Sequence, residues 1–200
     1  MPIQVSSDVI SFEDFLVAFD GVHAEWVDGK AIVMSPASER HQKIVVFLTT
    51  LLNLLAVRRG LGVVYTGPFP MKTGPDLPLR EPDLMFVSHE HFDRLREGYL
   101  EGPADLVVEI ISPKSRGPDR GEKFYEYEQG GVREYWLVDP IREKVELYRP
   151  DPQGDYELVP PGSPPRLESI VMPGMWIDPE WLWADPMPDV WGILKEWGLV

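Results

Sequence analysis

Cysteine is absent from the 200 residues, which excludes disulfides, thiol nucleophiles and zinc sites built on thiolates. Histidine is scarce, at four residues, so a metal here would be held by oxygen ligands or by those few imidazoles. Long apolar runs are missing as well. No stretch approaches the ~20 apolar residues of a membrane-spanning helix, and the N-terminus MPIQVSSDVISFEDF lacks a basic segment followed by an apolar one. The chain therefore reads as intracellular and cytoplasmic, with no membrane partner. Bases are the minority charge: 19 against 33 acids leave a net charge of −14, whereas bulk affinity for phosphate needs a basic face. The deficit is uneven. Residues 151–200 hold nine acids and two bases, and residues 1–150 hold 24 and 17, so half of the excess lies in the last quarter. That quarter also carries five of the seven tryptophans and nine prolines, and it reads as an irregular tail packed on the main body.

What is present is the composition of one globular domain spanning residues 1–200, with 44% hydrophobic and 26% charged residues. Ser11 and Asp14 predict a capped short helix over FEDFLVAF, and HAEWVD and KAIVMS flank a DGK turn as a hairpin. The strongest helix runs from Ala37 to Arg59, where Ile44, Leu48, Leu51, Leu52 and Leu55 recur at helical spacing and Gly60 stops the pattern. GVVYTG, PDLMFV, DLVVEIIS, EYWLVD and KVELYR read as strands. SHEHFDRL reads as a helical turn, and a second helix opens at Pro118 and Asp119 and closes at Gly130 and Gly131. Strands mixed with two main helices place the fold in the α/β or α+β class, with a mixed sheet.

The strand DLVVEIIS poses a chemical question. Alternation puts Val107, Glu109 and Ile111 on one face and Leu106, Val108 and Ile110 on the other, so Glu109 faces a covered surface. An ionised carboxylate costs several kcal/mol in such a place unless it is paired or bound to a cation. In the helix that follows, Arg120, Lys123 and Tyr127 are spaced to share a face, and folding that helix back over the sheet brings Lys123 toward Glu109. EPDLMFV supplies a second strand carboxylate, Asp83. Two carboxylates and a lysine are the parts needed to bind a hard divalent cation, polarise a phosphate and activate a water.

Seven ordered blocks carry a family resemblance. They are EWVDG (25–29), MSP (34–36), His41, Pro82-Asp83, DLVVEIISP (105–113), DRxxKxxxY (119–127) and GVREYWLVDP (131–140). Together, over residues 10 to 180, they resemble the Uma2 family, also called DUF820, whose members are similar to the PD-(D/E)xK superfamily of restriction endonuclease-like nucleases. The resemblance implies a restriction endonuclease-like core, an N-terminal hairpin, a Mg²⁺ or Mn²⁺ cofactor, a DNA partner and a homodimer. It places metal ligation at Asp83, Glu109 and the main-chain carbonyl of Ile110, with Lys123 catalytic and Glu25, His41 and Tyr127 in support. The superfamily pattern puts a lysine at position 111, where this chain has Ile111. The resemblance therefore moves the lysine role to Lys123.

Plainer readings stand beside these. Glu109 could form a structural ion pair with Lys123 or Arg120, leaving a nuclease-like fold used as a non-enzymatic binding or assembly module. A glycosidase reading of the carboxylates is a distant third, because the tryptophans gather in the tail instead of near the acids. His89 and His91 form an HxH pair, but residues two apart on a helical turn diverge. Arg58, Arg59, Lys114, Arg116 and Arg120 are the groupings that could rim a phosphate site, and EYWLVD is the strand that could serve as an interface edge.

Overall fold

The computed structural model describes residues 4–5, 9–34, 36–112 and 116–200. At its centre lies a six-stranded sheet in the order Tyr156–Val159, Lys144–Pro150, Glu134–Asp139, Leu106–Ile110, Leu84–Ser88, Gly62–Thr66. Leu106–Ile110 runs parallel to Glu134–Asp139 and antiparallel to Leu84–Ser88, so the sheet is mixed, as the alternation of strands and helices predicts. Both inner strands are buried along their whole length, which is why they read as nearly continuous apolar runs. EYWLVD is thus an interior strand, hydrogen-bonded on both sides, and not an interface edge.

The long helix spans Glu39–Arg59. Ser38 caps it, accepting the His41 N–H at 3.2 Å, and Gly60 ends it in the left-handed conformation (φ 61°). Its Ile44, Leu48, Leu51, Leu52 and Leu55 pack on the sheet face formed by Leu106, Val108 and Ile110. Val107 and Ile111 enter a second apolar cluster with Met85, Tyr127 and Leu137 on the opposite face. The two faces therefore divide as strand alternation predicts.

The predicted hairpin forms from Ala24–Val27 and Lys30–Val33, with Asp28 (φ 49°) and Gly29 (φ 75°) making the tight turn that matches strand twist. It belongs to a second, seven-stranded sheet that the sequence reading did not anticipate. Several of those strands, such as Met71–Lys72, Leu79–Arg80 and Leu95–Arg96, are two residues long, too short to show a period. The pairing of Trp26 with Leu79 sets Glu25 beside Arg80.

The second helix departs from expectation. Gly121 (φ −118°, ψ −90°) divides it into Arg116–Arg120 and Glu122–Gly130. Arg120 consequently leaves the face of Lys123 and Tyr127 and pairs with Glu146 and Asp139. The C-terminal quarter packs on the main body and is partly regular. Tyr156–Val159 extends the main sheet, and Leu167, Met172, Ile177, Leu182, Leu194 and Trp197 join the core of the long helix. Arg58 and Arg59 hydrogen-bond the carbonyls of Leu199, Pro173 and Trp197, so they fasten this segment and do not form a phosphate rim. Lys114 and the Arg116 side chain lie outside the described residues.

Candidate active site

Glu109 sits near the end of the central strand, 3% exposed. Its Oε1 accepts from Lys123 Nζ at 3.0 Å and from the Tyr127 hydroxyl at 2.8 Å, and Oε2 has no hydrogen bond among the described residues. Lys123, at 2% exposure, is held by three acids: Glu109 at 3.0 Å, Glu25 at 3.1 Å and Asp119 at 3.4 Å. The short helix after Gly121 thus delivers Lys123 and Tyr127 one turn apart onto the same carboxylate. Tyr127 reaches it from within the second apolar cluster. Its hydroxyl is pushed well up by burial and by Glu109, so it stays a proton donor in the hydrogen bond.

Asp83, at the start of the neighbouring strand, is half-buried. Its Oδ2 accepts the Ile110 N–H at 2.7 Å, and Oδ1 lies 3.0 Å from His41 Nε2. The N-terminal turn of the long helix and the strand ends therefore meet at one carboxylate. Asp83, Glu109, Ile110, Lys123, Glu25 and His41 all line a cavity of about 890 Å³. The sequence-predicted positions converge there, with Tyr127 bracing Glu109 from the core.

Three charged neighbours of the site, Arg80, Glu81 and Asp119, escaped the sequence reading as site residues. Arg80 is buried and grips Glu126 through two nitrogens, each at 2.7 Å, while its third bond goes to Glu25 at 2.9 Å. Glu81 is buried beside His23, whose Nε2 is 3.0 Å from its Oε2. Asp119 lies against Lys123. The charged run Arg80-Glu81-Pro82-Asp83, next to an apolar strand, is the signal that could have flagged the first two. His89 and His91 part company as predicted: His89 packs edge-on against Phe92, and His91 Nδ1 lies 3.0 Å from each Asp105 oxygen.

The electrostatics follow from crowding. Burial pushes the Glu109 carboxyl up to about 8; Lys123 pulls it down, and Asp119, Asp83 and Glu25 push it up again. Glu25 is also raised by burial, but Lys123 and Arg80 outweigh that and hold it below the usual carboxylate range. Lys123 is lowered by burial and raised further by Glu109 and Glu25, so it remains charged. Burial sends Glu81 up to about 8. A pocket with this surplus of carboxylates is short of positive charge, and a hard cation suits it. Among the described residues no group of three or more His, Asp or Glu side chains is set to enclose a metal. Asp83 and Glu109 are the two cavity carboxylates that could hold one, with the remaining positions left to water and phosphate.

The mixed sheet, with a carboxylate on its central strand met by a lysine from the following helix, makes this an α+β protein. The family model described as "Uma2: Putative restriction endonuclease" matches residues 11–180, and the chain belongs to that family. It is 28% identical over 154 residues to the uncharacterized protein slr1290 of Synechocystis, covering 72% of this chain and 75% of that protein. Its fold is similar to that of a crystal structure titled as a "putative nuclease belonging to DUF820" from Anabaena variabilis. The TM-score is 0.64 at 18% identity, over 80% of this chain and 89% of that one.

Proposed function

We propose that this chain is a Mg²⁺- or Mn²⁺-dependent phosphodiesterase that hydrolyses DNA. The observation that carries the reading is the Lys123 ammonium held 3.0 Å from Glu109 in a cavity that Asp83 also lines. Asp83, Glu109 and the main-chain carbonyl of Ile110 would hold the cation, which supplies Lewis-acid stabilisation of the phosphate. Hydrolysis forms a bond from water oxygen to phosphorus and breaks the bond to one sugar oxygen, with one proton passing overall from water to that oxygen. Lys123, kept charged by Glu109 and Glu25, orients the water and offsets the negative charge that grows on the phosphate. Glu25 and Arg80 fix where that ammonium sits, and His41 steadies Asp83. Ile111 is buried in the second apolar cluster, so no cation reaches the site from the position the superfamily pattern would use.

Isothermal titration with Mn²⁺ tests the ligands: Asp83→Ala and Glu109→Ala should each abolish binding. Lys123→Ala should keep metal affinity and lose about 100-fold in cleavage rate. Unchanged Mn²⁺ affinity in both carboxylate variants would refute the metal site. The closed ion-pair cluster of Lys123 would then mark a non-enzymatic module of the same fold.

A further inference from the structure

We infer that the site takes an unpaired strand of DNA, threaded into the cavity, and not an intact duplex; the inference rests on the phosphodiesterase reading and narrows its substrate. Three observations lead there. The first is depth. Glu109 and Lys123 are almost fully enclosed, and Asp83 is the partly exposed member of the trio. A phosphate fixed on a stiff double helix meets a protein along its surface, whereas a single strand can bend into a recess and splay its bases.

The second is the shortage of free cations. A protein that grips a duplex electrostatically neutralises about 6–10 phosphates with Lys and Arg. Here most of the described bases are engaged with the chain's own acceptors. Arg40, Arg58, Arg59 and Arg94 hold main-chain carbonyls. Arg80, Arg96, Arg120, Arg133 and Arg149 hold carboxylates. Among the described residues, the cations lining the cavity, Arg80 and Lys123, are both enclosed by acids.

The third is an uncharged part of the cavity lining. Ile32 and Met34 of the hairpin and Val45, Val46, Thr49 and Thr50 of the long helix share the space with the carboxylates. From Ile44 to Val57 the helix carries no charged residue, and Val46, Leu54 and Val57 are exposed on it. On a chain with a net charge of −14, this face is a path along which a polyanion meets little repulsion, and its aliphatic groups can cover the faces of unstacked bases. A duplex keeps those faces stacked and out of reach.

The test uses the full chain and one labelled oligonucleotide, alone or annealed to its complement. Binding is read by anisotropy with Ca²⁺ and cleavage is read with Mn²⁺. The single strand should bind at least about tenfold tighter than the duplex, with a shallow dependence on salt, and Val46→Glu should weaken that binding about tenfold. A duplex bound as tightly as the single strand overturns the substrate assignment, while Mn²⁺-dependent cleavage of either keeps the phosphodiesterase reading. Selective binding of the single strand without cleavage supports the strand assignment and sinks the phosphodiesterase reading. Binding of neither sinks both. A dimer in solution that Val46→Glu dissociates assigns the helix face to a second copy and overturns the inference.

Discussion

At Glu109 two costs oppose each other. An ionised carboxylate in the core loses its hydration, while a protonated one forfeits the attraction of Lys123. Burial and the surrounding acids win, so in the absence of metal the folded group titrates near 8, against 4.5 in the unfolded chain. Between those values the folded protein holds a proton that the unfolded one has released. Its contribution to stability is therefore complete below about 4.5 and is lost as pH rises to about 8. In metal-free buffer, urea denaturation across this range should show stability falling with pH, and Glu109→Gln should remove one proton's share of the slope. An unaltered slope in the variant would place the proton elsewhere, with Glu81 the next candidate because burial raises it in the same direction. The contacts of Glu109 are legible in the sequence. Glu109 interrupts an apolar strand, and Lys123 and Tyr127 lie four apart on a helix, so both signals are local. Arg80 and Glu81 were missed because their burial depends on a hairpin far away in sequence.

At the scale of elements, the long helix does two jobs. It buries one stripe against the sheet, and its first turn brings His41 to Asp83. The Ser38 hydroxyl, accepting the His41 N–H, ties those jobs together. Ser38→Ala should cost about 1 kcal/mol in a urea titration, whereas Ser38→Asp should retain most of the stability. Equal losses in both would show that the cap contributes nothing through its acceptor. The divided second helix shows the limit of spacing arguments. Arg120, Lys123 and Tyr127 have the separations of one helical face, yet a change of backbone direction at Gly121 sends Arg120 to Glu146 and Asp139. Those partners are on other strands, and spacing within one segment cannot reveal them.

For the whole molecule, the C-terminal quarter is structural. Leu182, Leu194 and Trp197 are buried in the same cluster as the long helix, and Arg58 and Arg59 clamp the segment from the helix end. Each large side chain of this kind contributes roughly 1.5–3 kcal/mol on burial, so several together rival the ~5–15 kcal/mol that a folded domain has in total. Ending the chain after Val159 should abolish the cooperative thermal transition and expose dye-binding apolar surface. A truncated chain that melts sharply at the parent temperature would show that the segment is dispensable to the core.

The sequence by itself determined the periodic elements: the capped long helix, the DGK hairpin, the five apolar strands and the carboxylates that interrupt them. Those features depend on side-chain alternation and capping within a few residues, which the chain carries locally. Beyond the Glu109–Lys123 pair, tertiary structure decided which charges meet. It set Glu25 beside Arg80 and Lys123, turned Arg120 and the Arg58-Arg59 pair away from the site, made EYWLVD an interior strand and drew the tryptophan-rich end into the core. The physical reason is that a charge in the core must find its partners across the packed layers, and which residues face one another there follows from sheet order and helix direction, not from distance along the chain.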